Sequence, residues 1–312
     1  MSSPACPEPR QRMDSLMLAP FTARDGENLA LYEWPMEAWQ ADEALPPRAV
    51  VLIVHGLGEH ASRYDHVARQ LLDWGFAVRA YDQRGHGESG GARGGLSSDA
   101  LLLEDLAEVV DDTRSRSARL PRANGAGEAG PLPLILLGHS LGGLVAGRFV
   151  SLKLRPVDGL VMSSPALDPG LNAIQKLLLA TLPAIAPNLR VNNGVKPEFI
   201  SHDPQVVRRY QADPLVHAKI SARLARFIAT AGPATVAAAS TWTTPTLLMY
   251  AGADRLVNPA GSRAFAEAAA AGNGAAQVVT VRCFDELYHE IFNEVDAAPV
   301  FASLKSWLDA RF

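Results

Sequence analysis

The sequence predicts an α/β protein: a mostly parallel, eight-stranded sheet flanked by helices and interrupted by a helical insertion. Three observations point there. Apolar runs bounded by Gly and Pro alternate with segments of helical periodicity. Several of those runs are continuous rather than alternating, as expected of strands buried on both faces. The rhythm then breaks between residues 168 and 240, where helical patterns and prolines occur without a strong strand. At 312 residues, 48% hydrophobic and 20% charged, the chain can bury one large core and carry an insertion.

Taken in order, residues 1–14 are rich in Pro and charge and read as a flexible tail. Residues 17–23 and 29–35 form an opening hairpin around Asp25-Gly26. Residues 49–56, AVVLIVHG, are a buried strand ending at Gly. Residues 62–74 place Tyr64, Val67, Leu71 and Trp74 at helical spacing, with Gly75 as the stop. A strand at 76–82 leads into a Gly-rich loop at 84–95 and a helix from Ser98 to Arg116. Residues 121–133 are a Pro/Gly/Ala surface loop. The strand at 132–140 runs through a turn into a helix. Strands follow at 159–165, 246–252 and 277–283, and a last helix at 296–310. The expected organisation is a core in two parts, 15–167 and 241–312, with a helical cap at 168–240.

Composition excludes several classes. A net charge of −4 is the wrong sign for a non-specific nucleic-acid binder. The two cysteines, Cys6 and Cys283, are not expected to pair. The first residues contain no apolar leader and no apolar run approaches 18 residues, so the expectation is a cytoplasmic protein. Oligomeric state is left open. The loop Arg84–Gly90 contains G-x-G-x-x-G, but GGARGG follows it where a dinucleotide site needs a helix. The segment from His289 to Asn293 approaches H-E-x-x-H but lacks the second His. His55, His60, His66 and His86 crowd one region without completing a ligand set, and read as loop and surface residues. No metal and no cofactor is expected.

The chemistry lies in Gly138-His139-Ser140-Leu141-Gly142, a G-x-S-x-G between a buried strand and a helix. A turn that sharp needs glycines on both sides of the serine, and it lifts the hydroxyl clear of the sheet. Serine is a weak nucleophile and needs a base, itself oriented by an acid. Asp254, just past the strand at 246–252, and His289, just past the strand at 277–283, stand where a parallel sheet presents its carboxyl ends. His289 is the only histidine after position 217. Asp285 and Glu286 are rival acids but sit too close to His289 in sequence. The oxyanion donors expected are the amides of Leu141 and of Leu57, in His55-Gly56-Leu57-Gly58.

The sequence resembles the α/β-hydrolase superfamily, and within it the monoacylglycerol lipase and lysophospholipase-like serine hydrolases. The resemblance is carried by HGLGEHASRY (55–64), YDQRGHGESGG (81–91), GHSLGG (138–143), SSPAL (163–167), DPLVHAKI (213–220), AGADRLV (251–257) and ELYHEIFNE (286–294). It extends from about Phe21 to Phe312, cap included. It implies the α/β-hydrolase fold, with Ser140, Asp254 and His289 as nucleophile, acid and base and the Leu57 and Leu141 amides as oxyanion hole. Glu59 and Arg63 match a charged pair near the site mouth, and His139 joins them as a substrate-binding residue. At Phe292 the chain departs from the mammalian lipases, which have a second His there. The implied partner is a small acyl ester or lipid. Within the cap, residues 171–185 and 215–232 read as helices with apolar faces, and Lys219, Arg223 and Arg226 as a basic one. That pattern fits an acyl tunnel with peripheral membrane contact through the cap, and equally packing onto the core with a solvated basic face. An acyltransferase or a proline-type aminopeptidase would use the same triad, whereas relatives with an Asp nucleophile are disfavoured by Ser140.

Overall fold

The computed structural model describes residues 16–35, 46–120, 131–168, 170, 181–182, 184–272 and 275–312. Eight strands form the central sheet: β1 (Leu16–Met17), β2 (Leu31–Trp34), β3 (Val50–Val54), β4 (Ala77–Tyr81), β5 (Leu134–His139), β6 (Gly159–Ser163), β7 (Thr246–Ala251) and β8 (Val279–Phe284). Their order is β1-β2-β4-β3-β5-β6-β7-β8. β2 is antiparallel to both neighbours and every other pair is parallel. The opening hairpin is present, pairing Phe21 with Leu29 and Thr22 with Asn28 around Gly26.

The continuous apolar runs are explained by cover on both sides. Val50, Leu52 and Val54 face one layer, while Val51 and Ile53 face the other. The first layer holds α2 (Leu101–Ser117) and α3 (Leu141–Ser151), with α6 (Ala260–Ala271) further along. The second holds α1 (Asp65–Asp73) and α7 (Ala298–Asp309). A parallel strand clothed on both faces has no polar edge to alternate with, so it reads as a solid run. The helix expected from Ser98 starts at Leu101, after turn residues.

Between β6 and β7 lies the insertion. Among its described residues are α4 (Pro204–Ala212) and α5 (Ala222–Ala238), together with a two-stranded ribbon pairing Arg190–Asn192 with Lys219–Ser221. The helix expected from 215 starts seven residues later. Asp213 folds its side chain onto the Leu215 amide (2.9 Å), the following residues enter the ribbon, and Ser221 then caps α5 by accepting from Leu224 N (3.1 Å). Arg223 and Arg226 do not form a free basic face. Arg226 pairs with Asp99, and Arg223 donates to the carbonyls of Leu96 and Ser97, tying α5 to the core. The tail, residues 121–130 and the apolar run at 171–180 lie outside the described residues. No helix among those described is long and apolar enough to cross a membrane.

Candidate active site

Ser140 stands between β5 and α3 with φ 53° and ψ −117°, a conformation costly for any residue with a Cβ. The glycines around it are required by contact. A Cβ on Gly142 would run into the carbonyls of Val54 and His55, and one on Gly138 into that of Gly142. The elbow is held by Ser140 N–H donating to Ser163 O (2.9 Å), and by Leu144 N–H and Ala166 N–H donating to Ser140 O (3.0 Å each).

Asp254 and His289, 35 positions apart, meet at the carboxyl ends of β7 and β8. His289 Nδ1 lies 2.6 Å from Asp254 Oδ2. The other carboxylate oxygen accepts from the amides of Leu256 (2.8 Å) and Val257 (2.9 Å). Three donors therefore converge on one buried carboxylate. Burial alone would raise the Asp254 pKa, but His289 and these amides hold it below the usual range. Burial alone would lower that of His289, but Asp254 outweighs it and the imidazole pKa stands above its ordinary value. With Nδ1–H committed to Asp254, Nε2 carries the free lone pair.

Ser140, Leu57, Leu141, His139 and His289 all line one cavity of about 390 Å³. That volume falls in the range of small-molecule sites. Its wall divides by chemistry. Leu182, Ile220, Ala225, Ile228, Leu141 and Ala166 are apolar, and the first four come from the insertion. Besides Ser140 and His289, the polar portion is Glu59, His139, Asn193, Tyr210 and Glu290. Leu141 is the first residue of α3, so its N–H has no acceptor within the helix. Leu57 lies between Gly56 and Gly58. A Cβ on Gly56 would sit 2.7 Å from Glu59 Oε1 and 3.2 Å from Ser140 Cβ, so the loop passes close to the serine and Glu59 leaves no room for a side chain there.

Glu59 and Arg63 are paired, and Glu290 joins them. Arg63 donates to both Glu59 and Glu290, the latter as a fork with two 2.8 Å bonds, and lies 4.8 Å from the centre of the Tyr210 ring. Arg63 thus binds two carboxylates that line the cavity and is itself largely buried. Glu59 also accepts from Gly56 N–H (2.5 Å) and Tyr64 OH (2.6 Å). Burial works to raise its pKa, but Arg63 and the adjoining groups outweigh it and hold it at about 2. His139 donates to or accepts from Ser163 Oγ at 3.1 Å, and burial beside His289 pushes it down to about 4, so it is neutral at pH 7.

Glu290, Tyr210 and Asn193 are cavity residues that sequence reasoning passed over. Only Glu290 carried a signal, its place beside His289, and that was absorbed by the comparison with H-E-x-x-H. Phe292 packs on Phe301 with ring centres 5.2 Å apart, within the second core layer. The reading of four histidines as loop and surface residues is corrected for three: His55, His60 and His86 are buried, with His55 and His86 5.3 Å apart, whereas His66 lies exposed on α1. No group of potential ligands fit for a metal occurs among the described residues.

This combination of sheet order, strained serine and buried Asp–His pair defines a serine hydrolase of the α/β type. Comparison with known proteins agrees. Residues 45–296 match the family described as serine aminopeptidase, S33. A monoacylglycerol lipase from Mycolicibacterium smegmatis is 34% identical over 275 residues, covering 87% of this chain and 91% of that protein. Phospholipase YtpA from Bacillus subtilis is 31% identical over 278 residues, covering 88% and 99%. The crystal structure of Paleococcus ferrophilus monoacylglycerol lipase superposes with a TM-score of 0.73 at 32% identity, covering 86% of this chain and 97% of that one. The chain belongs to this α/β-hydrolase family and is a carboxylester hydrolase related to the monoacylglycerol lipases.

Proposed function

We propose that the protein cleaves monoacylglycerols, lysophospholipids and similar simple acyl esters through an acyl-enzyme on Ser140. The observation that carries this reading is one cavity uniting Ser140 and the Asp254-oriented His289 with an apolar wall supplied by the insertion. Ser140 Oγ attacks the ester carbonyl while His289 Nε2 takes its proton. The tetrahedral oxyanion accepts from the Leu57 and Leu141 amides. The imidazolium, steadied by Asp254, returns the proton to the leaving alcohol. Water, activated by the same imidazole, then releases the fatty acid.

The acyl chain fits the side lined by Leu182, Ile220, Ala225 and Ile228, and the alcohol the side of Glu59, Tyr210 and Glu290. An aminopeptidase would turn its acids toward a substrate amine. Here both carboxylates are engaged by Arg63, and Glu290 also accepts from Asn293 Nδ2 (2.8 Å). That favours esters over aminoacyl amides. Relatives named for monoacylglycerol and for phospholipid point the same way. The test is kcat/KM across monoacylglycerols and lysophospholipids of graded chain length, with aminoacyl anilides alongside. We expect the esters to exceed the anilides at least tenfold (roughly 1.4 kcal/mol), with an optimum in chain length; the reverse ranking would overturn the reading.

The cap would also meet lipid surfaces. Ile185, Leu189 and Val191 are exposed there, Ile185 at 83%, on the segment that follows cavity residue Leu182. Apolar side chains on one edge favour insertion at an interface. The protein should co-float with neutral phosphatidylcholine vesicles and lose that behaviour in Ile185→Ser/Leu189→Ser; equal flotation of the variant would remove the cap from the contact.

A further inference from the structure

The strap at residues 213–221 lies directly over the loop that carries Leu57, and its bonds are made largely with backbone. His217 N–H donates to Gly58 O (2.9 Å) and Ser221 N–H to Gly94 O (2.8 Å). The His217 side chain reaches further, with Nε2 3.0 Å from Gly85 O. Asp213 adds a bond to His60 Nε2 at 2.9 Å. Gly58 (φ +76°) and Gly94 (φ +65°) leave room for this. A Cβ on either would strike the carbonyl of His217 or of Lys219. Strap and core loops are fitted backbone to backbone.

The imidazole is fixed in one tautomer. Its Nδ1 accepts from Lys219 N–H (3.2 Å), so Nε2 carries the proton given to Gly85. The ring lies 4.8 Å from that of buried His86. His217 is therefore anchored at its side chain on one core loop while its backbone grips another.

What it grips matters for the reaction. Leu57 is bracketed by two pinned neighbours. On one side Gly56 N–H is held by Glu59 (2.5 Å), and on the other Gly58 O is held by His217 N–H. With both flanks fixed, the intervening Leu57 amide has little freedom to turn away from the space above Ser140. We propose that His217 is a positioning residue for ester hydrolysis: anchored to Gly85, it holds the Gly58 carbonyl and thereby aims the Leu57 amide at the developing oxyanion. This rests on Leu57 acting as an oxyanion donor, as read above. His217 itself touches no reacting atom.

Complete loss of an oxyanion donor costs about 10²–10³ in kcat, and a misaimed donor should cost part of that. In the full-length protein, His217→Ala is expected to lower kcat on p-nitrophenyl butyrate by about 10- to 100-fold with KM within about twofold. A trifluoromethyl ketone, whose adduct with serine bears an oxyanion, should lose affinity in proportion, a response that general loosening of the cap would not give. His217→Gln can still place an amide N–H near Gly85 O and should recover most of kcat. His217→Asn is too short and should not. Wild-type kcat in the Ala variant would overturn the assignment. Should that variant not fold, Gln and Asn variants of equal kcat would overturn it instead. Failure of the serine-hydrolase reading on which this rests has its own signature, ester hydrolysis that survives Ser140→Ala.

Discussion

Alanine at position 140 is expected to lower kcat on a soluble ester by on the order of 10⁴- to 10⁶-fold, the scale on which nucleophile loss removes covalent catalysis. The fold should not follow it down. The bonds that build the elbow, Ser140 N–H to Ser163 O and the Leu144 and Ala166 amides to Ser140 O, are all backbone and persist in the variant. Alanine meets the same penalty as serine at φ 53°, since both carry a Cβ. Stability should therefore stay within about 1 kcal/mol of wild type. Initial rates and a thermal melt on the same preparation separate the two effects. A fluorophosphonate should add its mass to the peptide containing Ser140 in the wild type and to no peptide of the variant. Activity at the wild-type level would remove Ser140 as the nucleophile.

The parts of the site that sequence made legible are those whose chemistry is local. Ser140 lies inside its own motif, and Asp254 and His289 each follow an apolar run within a few residues, so the strand ends reveal them. The fold was legible for the same reason: burial on both faces leaves a continuous run at each central strand, β3 and β5 most plainly. What stayed hidden depends on distance along the chain. Arg63 reads as the partner of Glu59 alone until Glu290, 227 positions away, is seen to bind it as well. Arg223 and Arg226 look like a basic face until Asp99 is found opposite. The histidines at 55, 60 and 86 sit in Gly-rich stretches that read as surface, yet all three are buried, with His60 bonded to Asp213 and His86 4.8 Å from the His217 ring. α5 starts later than the pattern over 215–232 suggests because Lys219–Ser221 pair with Arg190–Asn192 instead of joining the helix.

Asp254→Asn should be nearly as damaging as loss of the serine, at about 10⁴-fold in kcat, although it removes no reacting atom. The reason is the tautomer. In the wild type Nδ1–H donates to the Asp254 carboxylate, which leaves Nε2 free to accept the Ser140 proton. The amides of Leu256 and Val257 donate to the other oxygen, and an asparagine would keep its carbonyl there. Its NH₂ would then face Nδ1, which must accept, and the ring proton would move to Nε2, aimed at the serine it should deprotonate. The pH profile carries a second signature. As the proposed base, His289 would work unprotonated, and its pKa stands above 6.5 because the Asp254 charge outweighs burial. The acid limb of kcat/KM in the wild type should accordingly have its midpoint above pH 6.5, with activity rising as pH passes through it. Removing the carboxylate charge leaves burial, which opposes the protonated form, so the residual activity of the variant should have its midpoint at lower pH. Rates on a neutral ester from pH 5 to 9 test both points. A variant within tenfold of wild type with an unshifted limb would show that Asp254 neither orients nor charges the base, and the acid would have to be sought elsewhere.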